Sequence, residues 1–194
     1  MASKAFPAAG LAAAAALALA APHAAPAQIR ASEGYEFIQA VKKRDGTTVT
    51  GMVTTPGVAV INHRDRSGQG ALHYVAAERD LTWLRFLLHH GANPDLADDD
   101  GDTALILATR LGWVEGAEAL IAHEADVDRA NDRGETPLIV AVLHRSLPLA
   151  RLLLKQGADP DKSDSVAGYS ARDYAQRDRR AAAILRLIEQ DASE

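Results

Sequence analysis

Residues 134–142, Gly-Glu-Thr-Pro-Leu-Ile-Val-Ala-Val, read as the entry to a short buried helix. Thr136 offers a hydroxyl at the N-cap, and Pro137 takes the first helical position, where its missing N–H costs nothing. Leu138, Ala141 and Val142 then share one apolar face. The phrase recurs upstream as GDTALILAT from Gly101 and GQGALHYVA from Gly68, each 33 residues from the next. It recurs downstream, 34 residues on, as GYSARDYAQ from Gly168. Thr103 and Ser170 keep the capping hydroxyl, whereas Gly70 is a weak cap. A second phrase keeps the same step: GANPD from Gly91, EADVD from Glu124 and GADPD from Gly157. Two independent markers in one register, at a period within the range of roughly 20–50 residues, predict a stacked solenoid.

Each unit has room for two helices. The first buries Leu72, Val75 and Ala76, with counterparts Leu105, Ala108, Thr109 and Leu138, Ala141, Val142. The second carries Leu84, Phe86, Leu87 and Leu88, with counterparts around Leu120 and Leu153. Gly91 and Gly157 follow it, where the chain enters the left-handed region. Glu124 stands at the same place and is expected to strain the backbone. Stacking in register sets Trp83 opposite Gly116 and Phe86 opposite Ala119, so the Trp83 ring is expected to fill the space beside Gly116.

These repeats resemble the ankyrin repeat: a β-turn finger, then an antiparallel helix pair, with a T-P-L-H-like motif. The resemblance covers about 65–194 and, more weakly, 34–64. It implies an all-α solenoid of stacked helix pairs with β-turn fingers. The expected units are a degenerate N-terminal cap over 28–64, repeats over 65–97, 98–130 and 131–164, and a C-terminal cap over 165–194. Tyr35 to Arg44 fits a first helix, Asp45 to Thr54 makes a poor second one, and Val58 to Asn62 resembles the lead into the first finger. Arg172, Asp173 and Arg177 to Arg180 give the far end the polar outer face a terminal repeat needs. The motif histidine is present only as His73, with Ile106 and Ile139 in its place later, so its hydrogen-bond network should be thin.

Residues 1–27 differ in kind. They hold 15 alanines and one charged side chain, Lys4. A positive start, the apolar run from Gly10 to Ala21, and Ala25-Pro26-Ala27 before Gln28 are the parts of a secretory signal peptide. A low-complexity tail is the alternative. The run is too short and alanine-rich for a membrane span of ~20 residues. An exported product, periplasmic or secreted from a bacterium and with no stable membrane span, is expected.

Composition narrows the chemistry. The 194 residues contain no cysteine, which removes disulfides, thiolate zinc sites and thiol nucleophiles together. A formal net charge of −5 argues against a nucleic-acid partner. The neighbours His89 and His90 point to different sides of a helix, and no metal site is expected. In Asp98–Asp102, Leu96 and Leu107 hold the first and twelfth places of a calcium loop, which leaves a turn rich in capping aspartates. There is no G-x-S-x-G elbow and no phosphate loop, so neither an enzyme nor a cofactor is expected.

The resemblance implies a concave face for a protein partner, built from finger tips and the inner ends of first helices. The corresponding residues are Arg66, Ser67 and Gln69; Asp99, Asp100 and Asp102; Arg133 and Glu135. Glu78, Arg110, Leu111, His144 and Arg145 add the helix ends, with Trp113 expected to be partly exposed nearby. Arg110 and Trp113 are the expected anchors, because arginine and aromatic side chains often dominate binding energy. The acidic second finger suggests a partner with a basic surface. A monomeric interaction module is the primary expectation; the alternative is an inhibitor or activating chaperone of a periplasmic enzyme.

Overall fold

The computed structural model describes residues 26–55 and 60–191. They form α1 (Pro26–Lys43), α2 (Gly46–Thr54), α3 (Ala71–Ala77), α4 (Leu81–His89), α5 (Ala104–Arg110), α6 (Val114–Ile121), α7 (Pro137–Leu143), α8 (Leu147–Lys155), α9 (Ala171–Arg177) and α10 (Ala182–Asp191). The odd-numbered helices neighbour one another in chain order as one layer, and α4, α6, α8 and α10 do so in a second. Among the described residues there is no strand, only isolated bridges between Ala97 and Thr103 and between Ser163 and Ser170. The fold is the expected all-α solenoid.

The caps act as the sequence suggests. Thr103 and Thr136 each accept an N–H three residues on, from Ile106 and Ile139, at 3.3 Å. Ser170 and Asp173 exchange bonds as a capping box. Gly70 has no side chain to cap with; instead His73 turns its ring back and accepts the Gly70 N–H at 3.1 Å. At the N-terminal end α2 is a regular helix where a poor one was expected. Asp45 caps it by accepting the Thr48 N–H, and Val49 is buried beneath it.

Two rows of hydrogen bonds lock one repeat to the next. In the loops after the second helices, Asn62 accepts the Asn93 N–H, Asp95 that of Asp126, and Asp128 that of Asp159, at 2.7–2.9 Å. In the fingers, the N–H groups of Asp99, Asp132 and Ser165 donate to the carbonyls of Ser67, Asp100 and Arg133, at 2.9–3.2 Å. Each row therefore runs the length of the array.

Left-handed residues mark both corners of a repeat. Glu124 has φ 66°, beside Gly91 at 89° and Gly157 at 85° in the flanking repeats, so it occupies the left-handed region expected of it. The corner between paired helices holds Arg44, Arg79, Gly112 and Arg145, also at positive φ. Arg44 and Arg145 reach across to Asp80 and Asp178, the caps of later elements, at 2.9 and 2.7 Å. Arg79 finds no acid at that place, because Trp113 stands there, and it donates to the Leu111 carbonyl instead.

The Trp83 seam is corrected. The space beside Gly116 is filled by Trp113, three residues earlier in the same repeat, and a Cβ on Gly116 would overlap that indole ring. Trp83 turns toward Phe86 in an edge-on pair, with centroids 5.7 Å apart. The segment read as a signal peptide lies outside the described residues except Pro26 and Ala27, which open α1; so does the Val58–Ala59 part of the lead into the first finger.

Candidate interaction face

Each finger is tied by one short polar side chain. Asp65 accepts N–H groups from Ser67 and Gln69, Asp98 from Asp100 and Asp102, and Asn131 from Arg133 and Glu135. Asp164 accepts three, from Val166, Ala167 and Gly168. These are Asx turns, in which the carboxylate or amide replaces a backbone acceptor. At the first and last fingers a tyrosine adds to the device: the hydroxyls of Tyr74 and Tyr174 donate to Asp65 and Asp164. Burial works against ionisation of Asp65, but the hydrogen bonds from Tyr74, Ser67 and Gln69 outweigh it and bring its pKa down to about 2. The Asp164 carboxylate, with some burial, pushes the Tyr174 hydroxyl up to about 12.

The middle of the face is a charged network. Arg110 grips Asp102 with two bonds, at 2.5 and 3.1 Å. Asn131 donates to both Asp102 and Glu135 at 2.9 Å, and Glu135 takes Arg133 at 2.7 Å. Burial would raise the Asp102 pKa, yet the Arg110 and Asn131 hydrogen bonds prevail and hold it below the ordinary carboxylate range. His73 closes the seam behind: its Nδ1 is an acceptor, so Nε2–H donates to the Asp102 carbonyl at 2.9 Å.

Several expected binding residues sit as an exposed set: Arg66, Ser67, Asp99, Asp100 and Arg133 on the fingers, and Glu78, His144 and Arg145 at helix ends. Gln69, Arg110, Leu111 and Glu135 are half-buried. Two expectations are corrected. Asp102 is only 4% exposed, drawn inward between Arg110 and Asn131, so its carboxylate is not on offer to a partner. Trp113 is 6% exposed, because its ring packs inward over Gly116, and it serves the core. The acidic finger is thereby less acidic than its sequence: Asp98 is spent on its own turn, Asp99 pairs with Arg64 at 3.1 Å, and Asp102 with Arg110.

A groove that the sequence reading missed lies at the N-terminal end of this face. It encloses about 830 Å³ between Tyr35, Ile38, Gln39 and Lys42 of α1 and the chain from His63 to Arg66. The i, i+3, i+4, i+7 spacing of those α1 residues was the available signal. A second, more open groove on the far layer is lined by Phe86, His89, His90 and His123. There the Nδ1 atoms of His90 and His123 sit 2.8–2.9 Å from the carbonyls of Phe86 and Ala119. No group of three or more His, Asp or Glu among the described residues is arranged to hold a metal, and no described helix is long and apolar enough to cross a membrane.

The family description "Ankyrin repeats (3 copies)" matches residues 37–131 and 72–164. Repeats of this family are generally protein–protein interaction modules and are typically non-catalytic. The matched segments run from within α1 to the start of the fourth finger and cover the helix pairs up to α7–α8, about two thirds of the chain, so the chain belongs to the ankyrin-repeat family.

Proposed function

We propose that the chain is exported, to a bacterial periplasm or beyond, and works there as a non-catalytic module that offers its finger face to a protein partner. The observation that carries this reading is the division of labour in the fingers. Their backbones are pinned from behind by Asp65, Asp98, Asn131 and Asp164 and by the bonds from finger to finger. The side chains of Arg66, Asp100 and Asp132 are exposed, with no hydrogen-bond or ion-pair partner among the described residues. A surface held rigid before binding loses less entropy on association. Asp100 and Asp132, in adjacent fingers, give its centre two carboxylates with no hydrogen-bond or ion-pair partner among the described residues and favour a basic patch on the partner there. The export part rests on Lys4, the apolar run and Ala25-Pro26-Ala27, which precede α1 or open it.

The test is capture of a partner by the tagged full chain, followed by its identification and the same capture with Asp100→Lys/Asp132→Lys. Loss of that partner, with Arg85→Glu on the far layer harmless, is expected. Equal capture by the finger variant would remove the second and third fingers from the interaction. Amino-terminal sequencing of the exported protein is expected to start near Gln28; an intact Met1 or Ala2 on a cytosolic product would end the export reading.

A further inference from the structure

The finger row has a free beginning. Its repeating donors are the N–H groups of Asp99, Asp132 and Ser165, and one step earlier the same position is Arg66. The Arg66 N–H has no acceptor among the described residues. The cause is visible in α1, which runs 18 residues where α3, α5, α7 and α9 run seven. Helix occupies the stretch of chain in which a finger would precede it. Between that extra helix and the first finger lies the groove of about 830 Å³, within the range of about 300–1,000 Å³ common for ligand sites.

Charge sets what fits. Among the described lining residues, Lys42, Arg64 and Arg66 face a single acid, Asp65, in a chain whose net charge is −5. Asp65 is occupied by four donors, the Ser67 N–H and hydroxyl, the Gln69 N–H and the Tyr74 hydroxyl. Arg64 already holds Asp99 and the Gly68 carbonyl, and Lys42 lies 3.9 Å over the Tyr74 ring. Among the described residues, Arg66 alone of the three has no side-chain partner. Tyr35, 62% exposed, adds an aromatic wall above Ile38. The segment before α1 offers no carboxylate, since its only charged side chain is Lys4.

We propose that this groove takes an extended, acidic segment of the protein partner, laid against the open end of the finger row. One backbone carbonyl of the segment accepts the Arg66 N–H, its carboxylates pair with Arg66 and Lys42, and an apolar side chain rests on Tyr35. Main-chain bonding at an exposed edge supplies affinity, and the flanking side chains supply selectivity. The inference rests on the interaction-module reading and names the partner chemistry at one end of that face.

Selection of phage-displayed random short peptides on the full chain tests it. Peptides rich in Asp and Glu with an aromatic or aliphatic residue are expected. A selected peptide, followed by fluorescence anisotropy, should lose about tenfold or more in affinity with Arg66→Glu or Lys42→Glu and change little with Arg133→Glu in the third finger. Arg66→Gln, which removes the positive charge without reversing it, should lose less than Arg66→Glu, since both keep the backbone donor. Amide exchange at Arg66 should slow on binding. Selected peptides without acidic character, or binding indifferent to Arg66 and Lys42, would overturn the proposal, as would preferential binding of single-stranded DNA or self-association blocked by Arg66→Glu. Partner capture that survives Arg66→Glu/Lys42→Glu but is lost with Asp100→Lys/Asp132→Lys would refute the groove alone. Acidic peptides bound through Arg66, with no partner captured by the parent chain, would refute the wider reading and leave the groove.

Discussion

The indole of Trp113 lies directly against the α-carbon of Gly116, on the turn of α6 that follows it, and leaves no room there for a side chain. Helix propensity alone says that Gly116→Ala stabilises by ~1 kcal/mol. The ring reverses the sign, since it must shift inside the core, and overpacking of this kind costs about 1–3 kcal/mol. Urea melts should show Gly116→Ala destabilised in the parent and harmless in a Trp113→Leu background. Rescue by Trp83→Leu instead would place the conflict across the repeats.

Glu124 is exposed and held at φ 66°, just past the C-terminal end of α6, where a negative charge also meets the unfavourable end of the helix dipole. Glu124→Gly removes both penalties, against some gain in unfolded-state entropy. A small rise in melting temperature is expected, worth under ~1 kcal/mol. A clear fall in calorimetry would contradict the assignment of strain to this residue.

The Thr109 hydroxyl is buried on α5 with no hydrogen-bond partner among the described residues. At the same register stand Ala76 and Val142, which have nothing to satisfy. Thr109→Val keeps the branched shape and removes the orphan group, so a gain of about 1 kcal/mol is expected by chemical denaturation. A loss would mean that the hydroxyl has a partner in solution.

The depressed Asp65 carboxyl makes a pH prediction with a definite sign. Its folded pKa is about 2 against an unfolded value of ~3.9, so between these values the unfolded chain binds more protons. Its contribution to stability is therefore complete above about pH 4 and fades as pH falls toward 2. Asp65→Asn should lower the melting temperature most at neutral pH, and the gap from the parent should narrow through that window. A constant gap from pH 6 to pH 2 would show that hydrogen-bond geometry, not ionisation, carries the effect.

Much of this architecture was legible because its determinants are local. Thr103, Thr136 and Ser170 cap whatever helix follows them, and Glu124 betrays its backbone by replacing a glycine. The misreadings concern residues whose fate depends on a neighbour in space. Asp102 looks like one more surface aspartate until Arg110, eight residues on, and Asn131, from the next finger, take both its oxygens. Trp113 looks available because it stands at a corner, and only the missing side chain of Gly116 shows where the ring goes. The basic groove was hidden because its walls, Tyr35 to Lys42 and His63 to Arg66, are separated by a whole helix and two loops.

The side chains of Asn62, Asp95 and Asp128 each accept a backbone N–H from the repeat that follows. Every internal unit thus carries one plug for its successor and one socket for its predecessor, all of the same pattern. Copying or excising 33 residues in register would leave plugs and sockets matched, as in nearest-neighbour repeat arrays generally. Array length is then open to change by recombination, while individual seams carry side-chain contacts of their own: His73 meets the second finger's Asp102 carbonyl, and Asn131 the Asp102 carboxylate. The backbone is interchangeable stock, and the side chains at the joints record the order of assembly.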